Sequence, residues 1–291
     1  MWNMRRIMER FMAVLCCPWF FAPNTSAQDT AQVKGPTEYT YRTVDGKALK
    51  AYVFQPDKPI TRRAAIVLFH GGGWHIGEPQ WTFGRARHFA GRGLVAVAIQ
   101  YRLSDQKSIT PLEAMTDARA SIRWMRSNAT LLGVNPNRIV AFGWSAGGHL
   151  AVSTAIFGNS TLPELSHAPN ALILVSPAVY LESDRWVQRL LGKRATAASI
   201  SPVANITKGL PPTLILQGSE DTVTPLKGAQ LFRDRMRAAG NNCDLQVYAG
   251  VGHLFTPAGI RDDSWPQPDP KVQEQAFQKA DEFLISLGFM R

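Results

Sequence analysis

Residues 138–157 read RIVAFGWSAGGHLAVSTAIF. The stretch divides at Ser145. Before it, Ile139–Phe142 is a short unbroken apolar run, the kind carried by a strand that is covered on both faces. After it, small and apolar residues continue for the length of a helix. Ser145 stands at the junction inside Gly143-Trp144-Ser145-Ala146-Gly147, a G-x-S-x-G. Glycines on either side permit a tight strand-to-helix turn and let the helix pack close to the strand, so that the hydroxyl is held clear of both. The plain alternative is a serine that merely caps the helix. By composition the bare pattern occurs in about one chain in ten of this length, so the strand before it and the helix after it are what give it weight.

Outward from this turn the same alternation repeats. Near-continuous apolar runs lie at 64–69, 94–99, 171–175 and 213–216, and helical patterns at 82–91, 111–128, 146–157, 225–239 and 271–287. Pro111 suits the first turn of its helix and Gly240 the end of its own. Ahead of them, two alternating segments around Asp45-Gly46 read as an opening hairpin. Strands alternating with helices predict an α/β fold whose central sheet is mostly parallel, with helices on both faces. No linker divides residues 28–291, which read as a single domain. One long connection, 178–212, has its own short helix near 184–191 and reads as a lid-like insertion.

Residues 1–27 read differently. Arg5, Arg6 and Arg10 precede an apolar run at 11–22 that is too short to span a bilayer and is interrupted by Pro18. Thr25-Ser26-Ala27 then supplies small residues before Gln28, which completes the pattern of a cleaved signal peptide. The expected location is secreted or periplasmic. Of three cysteines, Cys16 and Cys17 lie in that segment, which leaves Cys243 with no intrachain partner. With 45% hydrophobic and 19% charged residues the chain has the composition of a folded domain. Its net charge of +10 stays positive after the N-terminal segment is removed. No zinc-finger spacing, basic zipper or RNA-recognition aromatics accompany that charge, so no nucleic-acid partner is expected. No apolar run is long enough for a stable membrane span.

Three further motifs follow strands. His70-Gly71-Gly72-Gly73-Trp74 comes directly after the 64–69 run, and its glycines let backbone N–H groups turn toward a neighbouring oxyanion. It is not a phosphate loop, because no Gly-Lys-Ser/Thr follows. Gln217-Gly218-Ser219-Glu220-Asp221 follows the 213–216 run, and Gly252-His253-Leu254 follows the strand-like Leu245–Tyr248. A serine hydroxyl is a poor nucleophile at neutral pH. Imidazole titrates in the right range to activate it, and a carboxylate fixes the imidazole tautomer. Read alone, Asp221 is equally a turn residue with Glu220 as a rival acid, and His253 a surface-loop histidine. Together with the serine turn and the glycine loop they form a set.

Taken together, HGGGW, GWSAGGHLA, GSEDTVTP and GVGHLF resemble the α/β-hydrolase serine esterases, nearest the acetyl esterase and hormone-sensitive-lipase-like group and its secreted bacterial carbohydrate-esterase branch. The resemblance covers nearly all of residues 38–288 and implies the α/β-hydrolase fold and hydrolysis of short-chain or carbohydrate-linked acyl esters without a cofactor. It implies Ser145 as nucleophile, His253 as base and Asp221 as acid, in the chain order that fold uses. Gly72, Gly73 and Ala146 would donate the N–H groups of the oxyanion hole. Hormone-sensitive-lipase-like enzymes carry a helical N-terminal cap; here residues 28–69 are few and partly strand, which favours the smaller secreted esterases. The rival activities are a serine peptidase of the prolyl-oligopeptidase kind, and a non-catalytic binding protein of the same fold. The expected partner is a small-molecule or polysaccharide ester.

Other residues carry plainer readings. His149, one turn past Ser145, reads as a packing histidine. His70 reads as an anchor for the glycine loop, and Trp74 and Trp144 as core or site wall. The six histidines show no metal-ligand spacing, so no metal is expected. Arg185, Arg189 and Lys193 recur every four residues and predict one basic helix face.

Overall fold

The structure is a computed structural model that describes residues 33–57, 63–105, 107–157, 166–260 and 265–290. The expected signal peptide, residues 1–27, lies outside them. Eight strands form one sheet: β1 (Thr37–Val44), β2 (Lys47–Phe54), β3 (Arg63–Phe69), β4 (Val95–Ile99), β5 (Val134–Trp144), β6 (Ala171–Val175), β7 (Thr213–Gly218) and β8 (Cys243–Tyr248). The spatial order is β1-β2-β4-β3-β5-β6-β7-β8. The β1–β2 and β2–β4 pairs are antiparallel, and every pair from β4 onward is parallel.

Among the described residues seven α-helices accompany the strands: α1 (Phe83–Gly91), α2 (Pro111–Ser127), the single turn α3 (Ala129–Leu132), α4 (Ala146–Ile156), α5 (Arg185–Leu191), α6 (Leu226–Ala238) and α7 (Pro270–Ser286). Side chains of a strand alternate between faces, and β3 shows the consequence. Ala65, Val67 and Phe69 enter one core with residues of α2, α4 and α6 such as Ile122, Leu150 and Phe232. Ala64, Ile66 and Leu68 enter a second core with Phe89 of α1 and Leu284 of α7. Every residue of β3, β4, β6 and β7 is buried, which is why these strands read as continuous apolar runs rather than alternating ones. The α/β class and the mostly parallel sheet therefore stand as expected, with helices on both faces.

The opening hairpin is tied to the body by charge as well as by pairing. Asp117 of α2 is fully buried and meets Arg42 of β1 at 2.7 Å and Arg102 at 2.8 Å. Burying a carboxylate is costly unless it is paired, and the two guanidinium groups supply that pairing. Strand β5 begins earlier than its apolar core suggests. Its first residue pairs with Arg63, and a register shift separates that pair from the regular ladder starting at Ala65 and Ile139.

The strand order places the site. β4 lies on one side of β3 and β5 on the other, so the connections leaving β3 and β5 diverge at their carboxyl ends. Such a switch point leaves a crevice there. Phe69 is paired with Gly143, so the glycine loop and the serine turn begin side by side.

Candidate active site

The serine turn is held in a conformation that L-residues avoid. Ser145 has φ +52° and ψ −122°. Strain of this sort persists only where the surroundings over-determine it. Ser145 N donates to Val175 O of β6 (3.0 Å), and Ser145 O accepts from His149 N (3.2 Å) and Ala178 N (3.1 Å). The glycines are there for closeness. A Cβ on Gly143 would come within 2.1 Å of Gly147 O, and one on Gly147 within 2.2 Å of Phe69 O and 2.4 Å of His70 O. Helix α4 thus starts in direct contact with the end of β3.

His253 and Asp221 are joined by a 3.0 Å contact between Nδ1 and Oδ2. Asp221 is surrounded by donors. Gln217 Nε2 and Thr224 Oγ1 donate to Oδ2, both at 2.9 Å, while Val223 N (2.9 Å) and Thr224 N (2.8 Å) donate to Oδ1. Burial pushes the Asp221 carboxyl up, but the charge and hydrogen bond of His253, and the Thr224 donors, outweigh it and hold the group below its ordinary value. With Nδ1 engaged by the carboxylate, Nε2 is the nitrogen left to exchange a proton with a hydroxyl. The rival acid Glu220 is exposed and accepts from Ser219 Oγ instead.

The glycine loop bends through three consecutive left-handed residues: Gly72 (φ +106°), Gly73 (φ +59°) and Trp74 (φ +62°). Gly72 O accepts from His75 N (3.1 Å) and Ile76 N (3.0 Å), and a Cβ on Gly72 would sit 2.1 Å from Ile76 O. Side chains secure the bend from three directions. His70 donates from Nδ1 to Gly71 O (2.7 Å) and stacks on Tyr101, whose hydroxyl donates to His70 O (2.8 Å). Trp74 Nε1 donates to His149 Nδ1 (3.2 Å), and His149 Nε2 donates to Ile200 O (2.9 Å). Trp186 Nε1 of α5 donates to Gly73 O (3.3 Å). Both His70 and His149 are pushed down to about 4 by burial, so both are neutral here. His149 is therefore more than filler: it joins the glycine loop, α4 and the 178–212 connection.

Ser176 was not singled out by its sequence. It is fully buried with φ +42° at the end of β6. Its carbonyl shares the single Thr224 hydroxyl proton with Asp221 Oδ2 (Oγ1 is 2.9 Å from each), and its Oγ accepts from Leu254 N (3.1 Å). The residue before it, Val175, accepts from Ser145 N. One strand end thus ties together the loops that carry Ser145, Asp221 and His253. The available signal was Ser176-Pro177 directly after an apolar run. Gln217 and Thr224 were missed as well, although Asp-x-x-Thr is a local turn pattern that foretells the Asp221–Thr224 bonds.

The basic face differs from expectation. Helix α5 ends at Leu191, and Gly192 with φ +57° turns the chain, so Lys193 lies beyond the helix that carries Arg185 and Arg189. Cys243 is buried and its thiol is pushed up to about 12 by desolvation, which makes it inert. Among the described residues no cluster of His, Cys, Asp and Glu could hold a metal ion, and no helix is long and apolar enough to cross a membrane.

The chain also matches a known family. The alpha/beta hydrolase fold family matches residues 66–257, and the chain belongs to it. Among solved structures, esterase 2 of Thermogutta terrifontis in its apo form superposes with a TM-score of 0.78 at 36% identity, covering 89% of this chain and 97% of that one. That esterase has also been solved with propionate and with butyrate bound. Esterase LipC of Mycobacterium tuberculosis is 26% identical over 68% of this chain and 55% of its own. An acetylxylan esterase of Xylanibacter ruminicola is 27% identical over 78% of this chain and 48% of its own. The chain spans about half the length of these two curated relatives.

Proposed function

We propose that the protein is an exported serine esterase that removes short acyl groups, acetyl foremost, from carbohydrate-linked and other small alcohols. The observation that carries this reading is the bonded His253–Asp221 pair, set on loops tied through Ser176 to the strained Ser145 turn. Ser145 Oγ attacks the ester carbonyl carbon and its proton passes to His253 Nε2. The carbonyl oxygen becomes an oxyanion and accepts from the backbone N–H groups of Gly72, Gly73 and Ala146. His253 then gives the proton to the departing alkoxide, and an acyl-enzyme remains on Ser145. Water repeats the sequence in the second half, with the same proton route, and releases the acid.

The acyl side supports the short-chain part. Residues 178–212 close directly onto the site: Ala178 N on Ser145 O, Ile200 O on His149 and Trp186 on Gly73 O. The propionate and butyrate found with the Thermogutta esterase, and the acetylxylan name of the Xylanibacter relative, favour the same substrate range. The test is a p-nitrophenyl ester series. kcat/KM peaks between acetyl and butyryl and falls toward decanoyl; a rise toward long chains overturns the reading. Sequencing the N-terminus of protein from the native host checks export, with a start near Gln28 expected.

A further inference from the structure

Strand β7 carries near its end a polar side chain that the mechanism above leaves unused. Gln217 is fully buried, and its backbone is fixed in the sheet by pairing with Val247 of β8. Its amide has two N–H protons and gives each its own acceptor: Nε2 lies 2.9 Å from Asp221 Oδ2 and 2.9 Å from Thr224 O. The other arm of the amide, Oε1, is buried with no hydrogen-bond partner among the described residues. Turning the amide over would set Oε1 against two acceptors. The group is therefore held one way round, with both donors on the Asp221 turn and an unpaired carbonyl tolerated on the far side.

The three side-chain donors on Oδ2 are not equivalent. His253 Nδ1 (3.0 Å) moves with the imidazole that the carboxylate has to place. Thr224 Oγ1 has one proton for two acceptors, Oδ2 and Ser176 O, each at 2.9 Å, and it also lies 3.3 Å from His253 Nδ1. Of the three, only Gln217 brings an undivided N–H from a residue fixed in a strand.

The other carboxylate oxygen is held locally. Val223 N and Thr224 N donate to Oδ1 at 2.9 and 2.8 Å, within the turn itself. Those two bonds anchor one oxygen and leave the carboxylate free to swing about it. The Gln217 bond anchors the second, so the plane of the carboxylate is set before His253 meets it. The imidazole follows that plane, and a catalytic group displaced by about 1 Å loses on the order of 10²-fold in rate. We propose that Gln217 is a positioning residue that holds Asp221 Oδ2 in line with His253 Nδ1. It acts through Asp221 rather than on the substrate. This rests on the ester-cleaving reading above and adds one residue to its machinery.

Two measurements test it, one with turnover and one without. Gln217→Met keeps the length of the side chain and removes both the donors and the unpaired carbonyl. kcat for p-nitrophenyl acetate falls about tenfold with KM unmoved, the lower end of what a hydrogen bond to a charged group contributes. Gln217→Met/Asp221→Asn loses no more than Asp221→Asn alone, because a residue that acts through Asp221 then has nothing to act on. A merely structural residue adds its own loss to that of Asp221→Asn, so an additive cycle overturns the proposal, as does an unchanged kcat in Gln217→Met. The second measurement needs neither substrate nor a change at Gln217. Its side-chain amide is followed by heteronuclear NMR in the unsubstituted protein and in Asp221→Asn. One amide proton moves upfield when the charge at 221 is removed, while the other, on Thr224 O, keeps its position. Two unmoved protons overturn the proposal. A moved proton in a protein that cleaves none of the esters supports the placement of Gln217 and overturns the proposed activity.

Discussion

The two walls of the site are built by opposite means. The wall after β7 and β8 is ionic: Asp221 is buried among four donor bonds besides its contact with His253. The wall after β3 is neutral: His70, His149, Trp74, Tyr101 and Trp186 hold a left-handed glycine bend with uncharged hydrogen bonds and ring contacts. The difference follows from what each must do. In the proposed mechanism the ionic wall stabilises an imidazolium that forms during the reaction, so it keeps a charge ready. In the same mechanism the neutral wall points N–H dipoles at a developing oxyanion. A permanent cation there would bind the product carboxylate as well as the transition state, and only differential stabilisation speeds the reaction.

The comparison can be broken in order of effect. Ser145→Ala removes what both walls serve. Activity falls by on the order of 10⁶-fold, with residual turnover over water from the surviving oxyanion donors and binding. Unchanged ester hydrolysis in a folded Ser145→Ala protein would mean the two walls enclose something other than a serine nucleophile. Asp221→Asn comes next. It keeps the shape of the ionic wall while removing its charge, and kcat drops by about 10⁴-fold. A loss of tenfold or less would show that the neutral donors around residue 221 suffice and that the walls differ less than their chemistry suggests.

Much of this was legible beforehand, and unevenly. The strands covered on both faces announced themselves as apolar runs, because burial on two faces leaves no polar positions to confuse the pattern. The serine turn and the glycine loop were legible because at Gly143, Gly147 and Gly72 backbone atoms below 2.5 Å from any Cβ exclude every residue but glycine. Asp221 and His253, which the structure brings into contact, were picked out by chain order. Ser176 was not, because its role lies in a carbonyl and a hydroxyl that any small polar residue at a strand end offers. Its value comes from loops that are distant in sequence. The bracing roles of Trp186 and His149 were hidden for the same reason: Trp186 reaches Gly73 across 113 positions and His149 reaches Ile200 across 51.

Acid tests the walls separately. His70 and His149 sit near 4 in the folded chain against 6.5 when solvated, so unfolding binds protons between those values. The sign is that of any group whose folded value is depressed. Its stabilisation is complete above about 6.5, is lost as pH falls toward 4, and changes no further below that. By linkage each histidine accounts for about 3 kcal/mol. His167, also held below its ordinary value by burial, adds in the same direction. The Asp221 carboxyl is held below its ordinary value, so that group adds little slope in this window. Thermal melts from pH 7 to 4.5 should show a falling midpoint, and His149→Gln, which can keep both hydrogen bonds, should flatten the curve. A midpoint independent of pH would contradict neutral burial of these rings.

The smallest effect concerns the link from the 178–212 connection to the neutral wall. Trp186→Phe deletes the indole N–H that reaches Gly73 O over 3.3 Å, and keeps an aromatic ring beside His75, whose centroid is 5.9 Å away. A long, half-buried neutral hydrogen bond contributes about 1 kcal/mol net, which corresponds to about fivefold in rate if all of it acts on the transition state. The affected peptide joins Gly73 to Trp74, next to the N–H that Gly73 would offer the oxyanion. Loosening it therefore misaims a donor whose worth is realised only once charge develops. The expected signature is a fall in kcat for acetyl and butyryl esters alike with KM unmoved. Were KM to rise for butyryl alone, Trp186 would be shaping the acyl pocket rather than the donor. Were kcat to fall by 10²-fold or more, the glycine bend would depend on this one bond rather than on side chains from three directions.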